Sequence, residues 1–289
     1  MALGGEHFNM KIKYLILGEG YFGKKFKDFL EDSVLSEKKI NNLDDALGEI
    51  KKFDPEFIIN CIGKTGRPNV DWCEKNKSAT FNSNVAVPVY LAIASKELGK
   101  RLVHLSSGCE YEGDKGGEGF NEEDKPNFDG SIYSISKTLS EEMLKNFDNV
   151  LQVRLRMPFD DVPHDRNLIT KLLRYNKVLV APNSLTYVPH FLKITKKLMD
   201  EKATGIFNVV NKGTITHDEI LKTYEKFSGK KLNYTTISPE ELDKMTAARR
   251  SNCVLSTKKL ESFVEIPSVI EAVESCLKNY IKNEIKEAK

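Results

Sequence analysis

The chain has 289 residues, of which 40% are hydrophobic and 30% are charged, a composition typical of a folded globular protein and not of a disordered one. The formal net charge is only +2 and the basic residues are dispersed, so the sequence predicts no nucleic-acid partner. No apolar run approaches the roughly 20 residues of a membrane span. The five cysteines form no C-x-x-C pair, which argues against a disulfide framework or a metal site and favours a reducing, cytoplasmic location.

The first half of the chain alternates between predicted strands and predicted helices. Residues 12–17 are a short apolar run, followed by a glycine-rich turn and an amphipathic stretch. A weak strand near Val34–Leu35, the helix LDDALGEIKKF, the strand EFIINCIG, a long helix within residues 70–98 and the buried strand RLVHLSS follow. This alternation predicts an α/β fold, a Rossmann-like doubly wound parallel sheet.

The second half is less regular. Residues 112–131 form a polar, glycine-rich loop of a length that is usually functional or disordered. A helix over 131–147 and a strand over 150–157 come next. We expect a Rossmann domain over residues 11–157, to which a segment of about 186–225 returns, and a smaller C-terminal substrate-binding domain built from residues 158–185 and 226–270. Residues 1–10 lack the apolar core of a signal peptide and are expected to be disordered.

Gly18, Gly20 and Gly23 form the pattern G-x-G-x-x-G between a predicted strand and a predicted helix, which is the context of a dinucleotide-binding turn. Such glycines let the backbone approach a pyrophosphate, whose charge the free N–H groups of the helix N-terminus attract. No acidic residue for a ribose hydroxyl is evident. Glu37 is followed by two lysines, which favours NADPH over NADH, with NADH still possible. The alternative is a tight turn without a ligand.

Tyr133 and Lys137 have the spacing Tyr-x-x-x-Lys, which places both side chains on one helix face. An ammonium beside a phenol favours the phenolate and would lower the pKa of Tyr133 from about 10. Ser107 ends the strand RLVHLSS, where its hydroxyl could hydrogen-bond a carbonyl oxygen, because ligands bind at strand ends in such sheets. The alternative for Tyr133 and Lys137 is an ordinary solvated helix face. His104 lies inside the strand and is expected to be a core histidine.

The glycine turn, the strand-end serine and Tyr-x-x-x-Lys together resemble an extended short-chain dehydrogenase/reductase. Longer blocks resemble the reductase half of plant-type UDP-rhamnose synthases, which are UDP-4-keto-6-deoxyglucose 3,5-epimerase/4-reductases related to bacterial dTDP-4-dehydrorhamnose reductases. Those blocks include GRPNVDWCE (66–74), SSGC (106–109), NEEDKPNFDGSIYSISK (121–137) and AARRSN (247–252). The sequence departs from the family where Ser107 replaces a threonine and where AARRSN contains an additional arginine, with Arg250 the better match.

The resemblance implies conversion of UDP-4-keto-6-deoxy-D-glucose to UDP-L-rhamnose, by 3,5-epimerisation and then NADPH-dependent reduction at C4. A reduction alone needs no thiol, so a free cysteine at position 109 would by default be a small hydrophobe. Inversion at C3 and C5 requires an acid and a base on opposite faces of the sugar ring. The resemblance assigns that pair to Cys109 and Lys171, and the reduction to Ser107, Tyr133 and Lys137.

The resemblance also implies two sets of binding residues. The predicted cofactor-binding residues are Gly18, Gly20, Tyr21, Phe22, Gly23, Cys61, Gly63, Asn84, Tyr133 and Lys137. The predicted substrate-binding residues are Arg67, Asn69, Asn167, Arg250 and Asn252, with the arginine forks suited to diphosphate oxygens.

Two other functions stay open at this point: a reductase acting only on dTDP-4-dehydrorhamnose, and a non-catalytic nucleotide-binding regulatory subunit. We further expect a homodimer with no membrane partner. Its 4-keto substrate would come from a separate UDP-glucose 4,6-dehydratase.

Overall fold

The computed structural model describes residues 12–287 of the chain, so the prediction of disorder for residues 1–10 lies outside the described residues. The strands are β1 (Tyr14–Leu17), β2 (Ser33–Ser36), β3 (Phe57–Asn60), β4 (Arg101–Ser107), β5 (Val150–Leu155), β6 (Pro158–Phe159), β7 (Lys177–Leu179), β8 (Thr186–Tyr187), β9 (Gly205–Asn208) and β10 (Thr235–Ile237). The helices are α1 (Tyr21–Phe29), α2 (Leu43–Phe53), α3 (Asp71–Lys75), α4 (Lys77–Phe81), α5 (Val87–Glu97), α6 (Ile132–Leu144), α7 (Leu168–Leu172), α8 (Val188–Asp200), α9 (His217–Ser228), α10 (Pro239–Asp243), α11 (Lys258–Glu261) and α12 (Val269–Glu287).

Six strands form one parallel sheet in the order β2-β1-β3-β4-β5-β9. Every residue of β1 and β3 is buried, because helices cover both faces of the sheet. The order reverses direction between β1 and β3, and ligands bind beyond the carboxyl ends of the strands at such a reversal. The predicted α/β fold with a doubly wound parallel sheet is therefore confirmed.

The segment 70–98 is not one long helix. It divides into α3, α4, a π-helical turn over Asn82–Ala86 and α5. Pro88, near the start of α5, has no N–H to donate to the carbonyl of Asn84, and a local change of helical pitch accommodates the missing hydrogen bond. The π-helical turn carries Asn84, a predicted cofactor residue, so the irregularity falls at the candidate site.

Two hydrophobic cores flank the parallel sheet, and a third lies in the C-terminal lobe. The third core joins α7, α9 and α12 with β7 and β8. Helix α8 packs on the main sheet, and strand β9 pairs with β5 at the edge of that sheet. Helix α9 packs instead in the C-terminal lobe, which favours a return limited to about residues 186–210 over the predicted 186–225. The domain boundaries themselves stay a prediction.

Within residues 12–287, no helix has the length and apolar character needed to cross a membrane. Across the same range, no three His, Cys, Asp or Glu side chains are grouped as metal ligands.

Candidate active site

Four of the predicted catalytic residues meet where β4 ends and α6 begins. Ser107 is the last residue of β4 and is buried, while Tyr133 and Lys137 lie on the first turns of α6. The Ser107 hydroxyl hydrogen-bonds the Tyr133 phenol, and the same oxygen accepts the Cys109 backbone N–H at 3.2 Å. The Cys109 thiol is close enough to influence the phenol electrostatically. One strand end thus presents a hydroxyl, a phenol and a thiol to the same space.

The environment of Tyr133 differs from the expectation. Burial raises the pKa of Tyr133 above its usual range, the Cys109 thiol adds to this, and the Ser107 hydrogen bond opposes it. These largest influences on the pKa of Tyr133 do not include Lys137, whose amine hydrogen-bonds Leu105 and contacts His104. The protein alone therefore holds Tyr133 as a neutral phenol, the form that donates a proton.

The Lys137 side chain is buried against β4. Its Nζ donates to the Leu105 carbonyl at 2.8 Å and lies 3.1 Å from His104 Nε2. Burial lowers the pKa of Lys137 to about 8, although Glu110, Glu141 and Cys109 partly oppose that shift.

His104 is buried as predicted, but it is part of the site and not only of the core. Its Nδ1 lies 3.0 Å from Asn60 Nδ2, and its Nε2 faces Lys137. Burial holds the pKa of His104 well below its usual range, with the nearby Lys137 adding to the effect. The alternation of side chains along β4 could have shown that His104 and Ser106 share a face, but the partner Lys137 is 33 residues away.

Cys109 has a cationic neighbour that the sequence reading did not single out. Arg156 Nη1 donates to Cys109 Sγ at 3.3 Å, and Nη2 donates to Asn183 Oδ1 and to the Ser251 carbonyl. Arg156 is 1% exposed, its Nε has no partner, and it forms no salt bridge with a carboxylate of residues 12–287. Burying a guanidinium without a counter-ion costs free energy, so the position of Arg156 beside the Cys109 thiol indicates a role for its charge there.

Lys171 lies on α7 in the C-terminal lobe and is half-buried. Its ammonium makes no hydrogen bond or salt bridge to another residue of the described range 12–287. Burial lowers the pKa of Lys171, and Arg166 contributes in the same direction. Arg166 Nη1 donates to Thr65 Oγ1 at 2.7 Å, which ties the residues before α7 to the loop after β3.

The glycine turn has the close approaches that the motif requires. Gly18 has a φ of +101°, and a Cβ there would lie 2.8 Å from the Cys61 carbonyl carbon. A Cβ on Gly23 would lie 1.9 Å from the Gly18 oxygen, so neither position accepts a side chain. A Cβ on Gly20 would meet nothing within 4 Å, which leaves open space above the turn.

The neighbours of the turn have other contacts. Tyr21 donates to Asp160 Oδ2 at 2.6 Å and stacks on His164, so it joins α1 to the C-terminal lobe. Phe22 packs edge-on against Phe191. Their side chains are engaged within the protein, which leaves only their backbones for the predicted cofactor contact.

Asn84 clamps the loop after β3 to α6. Its Oδ1 accepts the Lys64 N–H at 2.7 Å, and its Nδ2 donates to the Lys64 carbonyl and to Ser136 Oγ. Both amide hydrogens are thereby used, and Asn84 shapes the loop that carries Cys61 and Gly63. The predicted role of Asn84 in cofactor binding stays a prediction.

Four of the five predicted substrate-binding residues lie on two neighbouring segments, and Asn167 lies apart from them. Arg67 is exposed, and its guanidinium makes no hydrogen bond or salt bridge within residues 12–287. Arg250 is partly exposed and forms a 2.9 Å salt bridge with Asp71, which lies in the same block as Arg67. Asn69 accepts the Asp71 N–H, and Asn252 accepts from Asn183 Nδ2. These four residues bring the segments 67–71 and 250–252 to one surface.

The Asn167 side chain is engaged within the protein. It is fully buried and caps α7 by accepting the Ile169 N–H, while its Nδ2 donates to the carbonyls of Asp160 and Val162. Both hydrogens and the oxygen are engaged, so Asn167 fixes the start of the helix that carries Lys171. The predicted contact of Asn167 with substrate stays a prediction, although these hydrogen bonds leave its side chain no free donor.

A buried ionic cluster lies behind the site. The Glu141 carboxylate accepts hydrogen bonds from both Nε and Nη2 of Arg154, and Glu110 Oε1 lies 3.3 Å from the same Nε. One guanidinium thus faces two buried carboxyl groups, and burial together with Glu141 raises the pKa of Glu110 to about 8. The cluster could not be predicted from the sequence because its members lie far apart in the chain. Arg154 is on β5, Glu141 is on α6, and Glu110 lies just before the loop over residues 112–131.

Comparisons with known proteins identify the family of the chain. Two plant proteins of Arabidopsis thaliana are among the relatives. A bifunctional dTDP-4-dehydrorhamnose 3,5-epimerase/dTDP-4-dehydrorhamnose reductase is 39% identical over 83% of this chain and 81% of its own length. A trifunctional UDP-glucose 4,6-dehydratase/UDP-4-keto-6-deoxy-D-glucose 3,5-epimerase/UDP-4-keto-L-rhamnose-reductase is 36% identical over 92% of this chain, which spans only 41% of that longer protein.

Among solved structures, a UDP-rhamnose synthase from Acanthamoeba polyphaga mimivirus is 30% identical, covers 92% of this chain and 99% of its own, and superposes with a TM-score of 0.89. The family model described as "RmlD substrate binding domain" matches residues 33–282. The chain therefore belongs to the RmlD family of reductases.

Proposed function

We propose that this protein converts UDP-4-keto-6-deoxy-D-glucose to UDP-L-rhamnose, by 3,5-epimerisation followed by NADPH-dependent reduction of the C4 ketone. The observation that carries the proposal is the placement of Cys109 beside Ser107 and Tyr133 at one strand end. Reduction uses the Ser107 hydroxyl and the Tyr133 phenol, whereas the Cys109 thiol is needed only for epimerisation. The bifunctional and trifunctional relatives carry both activities in their names.

In the reduction, Ser107 donates a hydrogen bond to the C4 carbonyl oxygen and so orients the ketone. Tyr133 donates its phenolic proton to that oxygen as C4 is reduced, and the resulting phenolate regains a proton from water. Burial keeps Tyr133 protonated before the reaction, which suits a proton donor. Lys137 stabilises the phenolate that forms.

NADPH supplies the hydride when bound. The open space above Gly20, with Gly18 and Gly23 too crowded for side chains, fits the pyrophosphate of a dinucleotide at the N-terminus of α1. Cys61 and Gly63 line the opposite side, at the reversal between β1 and β3. Lys38 and Lys39 follow β2 and favour a 2′-phosphate, although Lys38 also pairs with Asp45 at 2.7 Å.

In the epimerisation, the C4 ketone acidifies the hydrogens at C3 and C5. We assign the proton exchange to Cys109 and Lys171, one removing a proton from one face and the other returning a proton to the opposite face. The Arg156 N–H directed at the sulfur would stabilise negative charge on Cys109 during that exchange. Lys171, with no partner in the described residues, is free to turn toward the sugar.

Arg67 and Arg250 are proposed to hold the diphosphate of the nucleotide, with Asn69 and Asn252 shaping the segments that carry them. We propose UDP as the nucleotide because the trifunctional relative and the mimivirus structure are named for UDP sugars. The trifunctional relative also joins a 4,6-dehydratase to the same chain, which supports functional coupling of this reaction to a UDP-glucose 4,6-dehydratase.

We also propose a homodimer and a cytoplasmic location. An apolar surface on α5 and α6, which includes the exposed Ile93, Leu139 and Met143, supports the dimer. All five cysteines are free, which is usual in a reducing compartment.

The test is a product analysis with the wild-type protein in deuterated water. UDP-4-keto-6-deoxyglucose and its dTDP counterpart are each supplied with NADPH, and the sugar is read by NMR. UDP-rhamnose deuterated at C3 and C5 supports the proposal. With dTDP-4-dehydrorhamnose supplied as a third substrate, turnover of that sugar alone favours a reductase without epimerase activity. NADPH binding without turnover of any of the three sugars favours a regulatory subunit.

A further inference from the structure

A chain of hydrogen bonds with a fixed donor-to-acceptor direction runs from the loop after β3, which carries the predicted cofactor residues Cys61 and Gly63, to Lys137. The backbone N–H of Ile62, between Cys61 and Gly63, donates to Asn60 Oδ1 at 3.0 Å. Asn60 Nδ2 faces His104 Nδ1 at 3.0 Å, and His104 Nε2 faces Lys137 Nζ at 3.1 Å. All three side chains are buried, so water does not compete for these bonds.

The direction of the chain is set at its first link. A backbone N–H can only donate, so Asn60 must present its oxygen to Ile62 and its NH₂ group to His104. His104 Nδ1 is therefore an acceptor. A neutral imidazole that accepts at Nδ1 carries its hydrogen on Nε2. That hydrogen is directed at Lys137.

An ammonium has three donors and no acceptor, so a protonated Lys137 would place a donor against the His104 Nε2–H. A neutral amine has a lone pair that accepts it and still has hydrogens for the Leu105 carbonyl. We propose that His104 is a positioning residue that donates its Nε2–H to the Lys137 amine and thereby opposes protonation of Lys137. The lysine then takes up a proton more readily once negative charge appears nearby, as on the Tyr133 oxygen after proton transfer.

The other charged groups around Lys137 favour its protonated form, which is the opposite of the effect proposed for His104. Glu110, Glu141 and the Cys109 thiol favour its ammonium, while burial disfavours it and sets the pKa of Lys137 at about 8. The two carboxyl groups are themselves engaged by Arg154. Within residues 12–287, Lys137 is the charged group that lowers the pKa of His104 in addition to burial. This inference rests on the proposed role of Lys137 in the reduction, but the tautomer of His104 is measurable without any reaction.

Asn60→Asp reverses the chain with almost no change of shape. The carboxylate still accepts the Ile62 N–H, but its second oxygen can only accept, so His104 must carry its hydrogen on Nδ1. The Nε2 lone pair then faces Lys137 and favours the ammonium. The matched control is Asn60→Asp in a His104→Leu background, which keeps the added charge and removes the relay.

The experiment is ¹⁵N NMR of protein labelled at histidine, with His104 assigned by its loss in His104→Gln. We expect the wild type to show the Nε2–H tautomer, with a shift of the ring nitrogens that titrates near pH 8 as Lys137 ionises. In Asn60→Asp we expect the Nδ1–H tautomer and a midpoint higher by about one pH unit. The high-pH limb of kcat/KM for the 4-keto reduction should move with it, and by less in the double variant.

An Nδ1–H tautomer in the wild type overturns the inference directly, even if Asn60→Asp does not fold. The inference is also overturned if Asn60→Asp leaves the midpoint of the His104 NMR titration unchanged. The same holds if Asn60→Asp moves the high-pH limb of kcat/KM equally with and without His104. A protein that reduces no 4-keto sugar contradicts the proposed function and leaves the NMR test of the relay intact.

Discussion

Arg156 Nη1 lies 3.3 Å from Cys109 Sγ, and Arg156 has no carboxylate partner within residues 12–287. The other fully buried arginine, Arg154, faces two glutamates. The contrast indicates that the charge on Arg154 is balanced within the protein, whereas the charge on Arg156 is directed at the thiol and at whatever ligand binds there.

Arg156→Met should slow proton exchange at the sugar more than it slows reduction. Loss of the guanidinium removes the stabilisation of negative charge on Cys109, and we expect the deuterium exchange rate to fall by about tenfold to a hundredfold, the 1.5–3 kcal/mol of a charged hydrogen bond. Arg156→Lys keeps the charge and should retain part of the exchange. Exchange is read by NMR and reduction by NADPH oxidation, with thermal melts to follow folding, since Asn183 and Ser251 also lose a donor. An equal fall in both rates would assign Arg156 a purely structural role.

Tyr133→Phe should separate the two reactions in the other direction. Without the phenolic proton donor, NADPH oxidation should drop by about 10²- to 10⁴-fold, the usual contribution of a general acid. Deuterium should still enter at C3 and C5, because the proposed exchange uses Cys109 and Lys171. A Tyr133→Phe protein that loses exchange as completely as reduction would show that the two reactions share their acid.

Lys171→Met should prevent inversion at both carbons. Lys171 is one member of the proposed acid–base pair, so its loss leaves Cys109 without the group that acts on the opposite face of the sugar ring. The matched control is Lys177→Met, an exposed lysine of the same lobe. Inversion at both carbons in Lys171→Met, at the wild-type rate, would remove Lys171 from the mechanism.

The main elements of the fold could be predicted from the sequence because their signals are local. The apolar runs of β1, β3 and β4, the glycine turn and the helix over Leu43–Phe53 each lie within a few residues. The placement of Ser107 at a strand end and of Tyr133 and Lys137 on one helix followed from the same local patterns.

The polar partners could not be predicted, since they meet only through the topology. Lys137 contacts His104 across 33 residues, and Arg156 reaches Ser251 across 95. The expectation that Lys137 lowers the pKa of Tyr133 rested on spacing along the helix, whereas the amine turns toward His104 and Leu105 instead. Asn167 was predicted from the family resemblance to bind substrate, and its capping of α7 is visible only in the fold.

Glu110→Gln should stabilise the protein by an amount that grows with pH. Burial and Glu141 raise the pKa of Glu110 to about 8 in the folded chain, from an ordinary value of 4.5. The folded state therefore binds one more proton than the unfolded state between those values. Wild-type stability falls as pH rises from about 5 to 8, by up to about 1.4 kcal/mol per pH unit from this group.

Glutamine does not titrate, and it is neutral like the protonated carboxyl that it replaces. Urea unfolding at pH 5, 6.5 and 8 measures the difference, with Glu118→Gln, an exposed glutamate of the same loop, as the control. A difference between wild type and Glu110→Gln that does not change with pH would show that Glu110 is not buried as a neutral acid.

The central claim is that one pocket performs both epimerisation and reduction, and Cys109→Ala tests it most directly. UDP-4-keto-6-deoxyglucose and NADPH are supplied in deuterated water and the sugar is read by NMR, with Cys276→Ala, a buried cysteine of the C-terminal core, as the control. We predict that the wild type and Cys276→Ala yield UDP-rhamnose deuterated at C3 and C5, and that Cys109→Ala yields uninverted, undeuterated reduced sugar or no product. Inversion and deuteration at both carbons by Cys109→Ala would contradict the account.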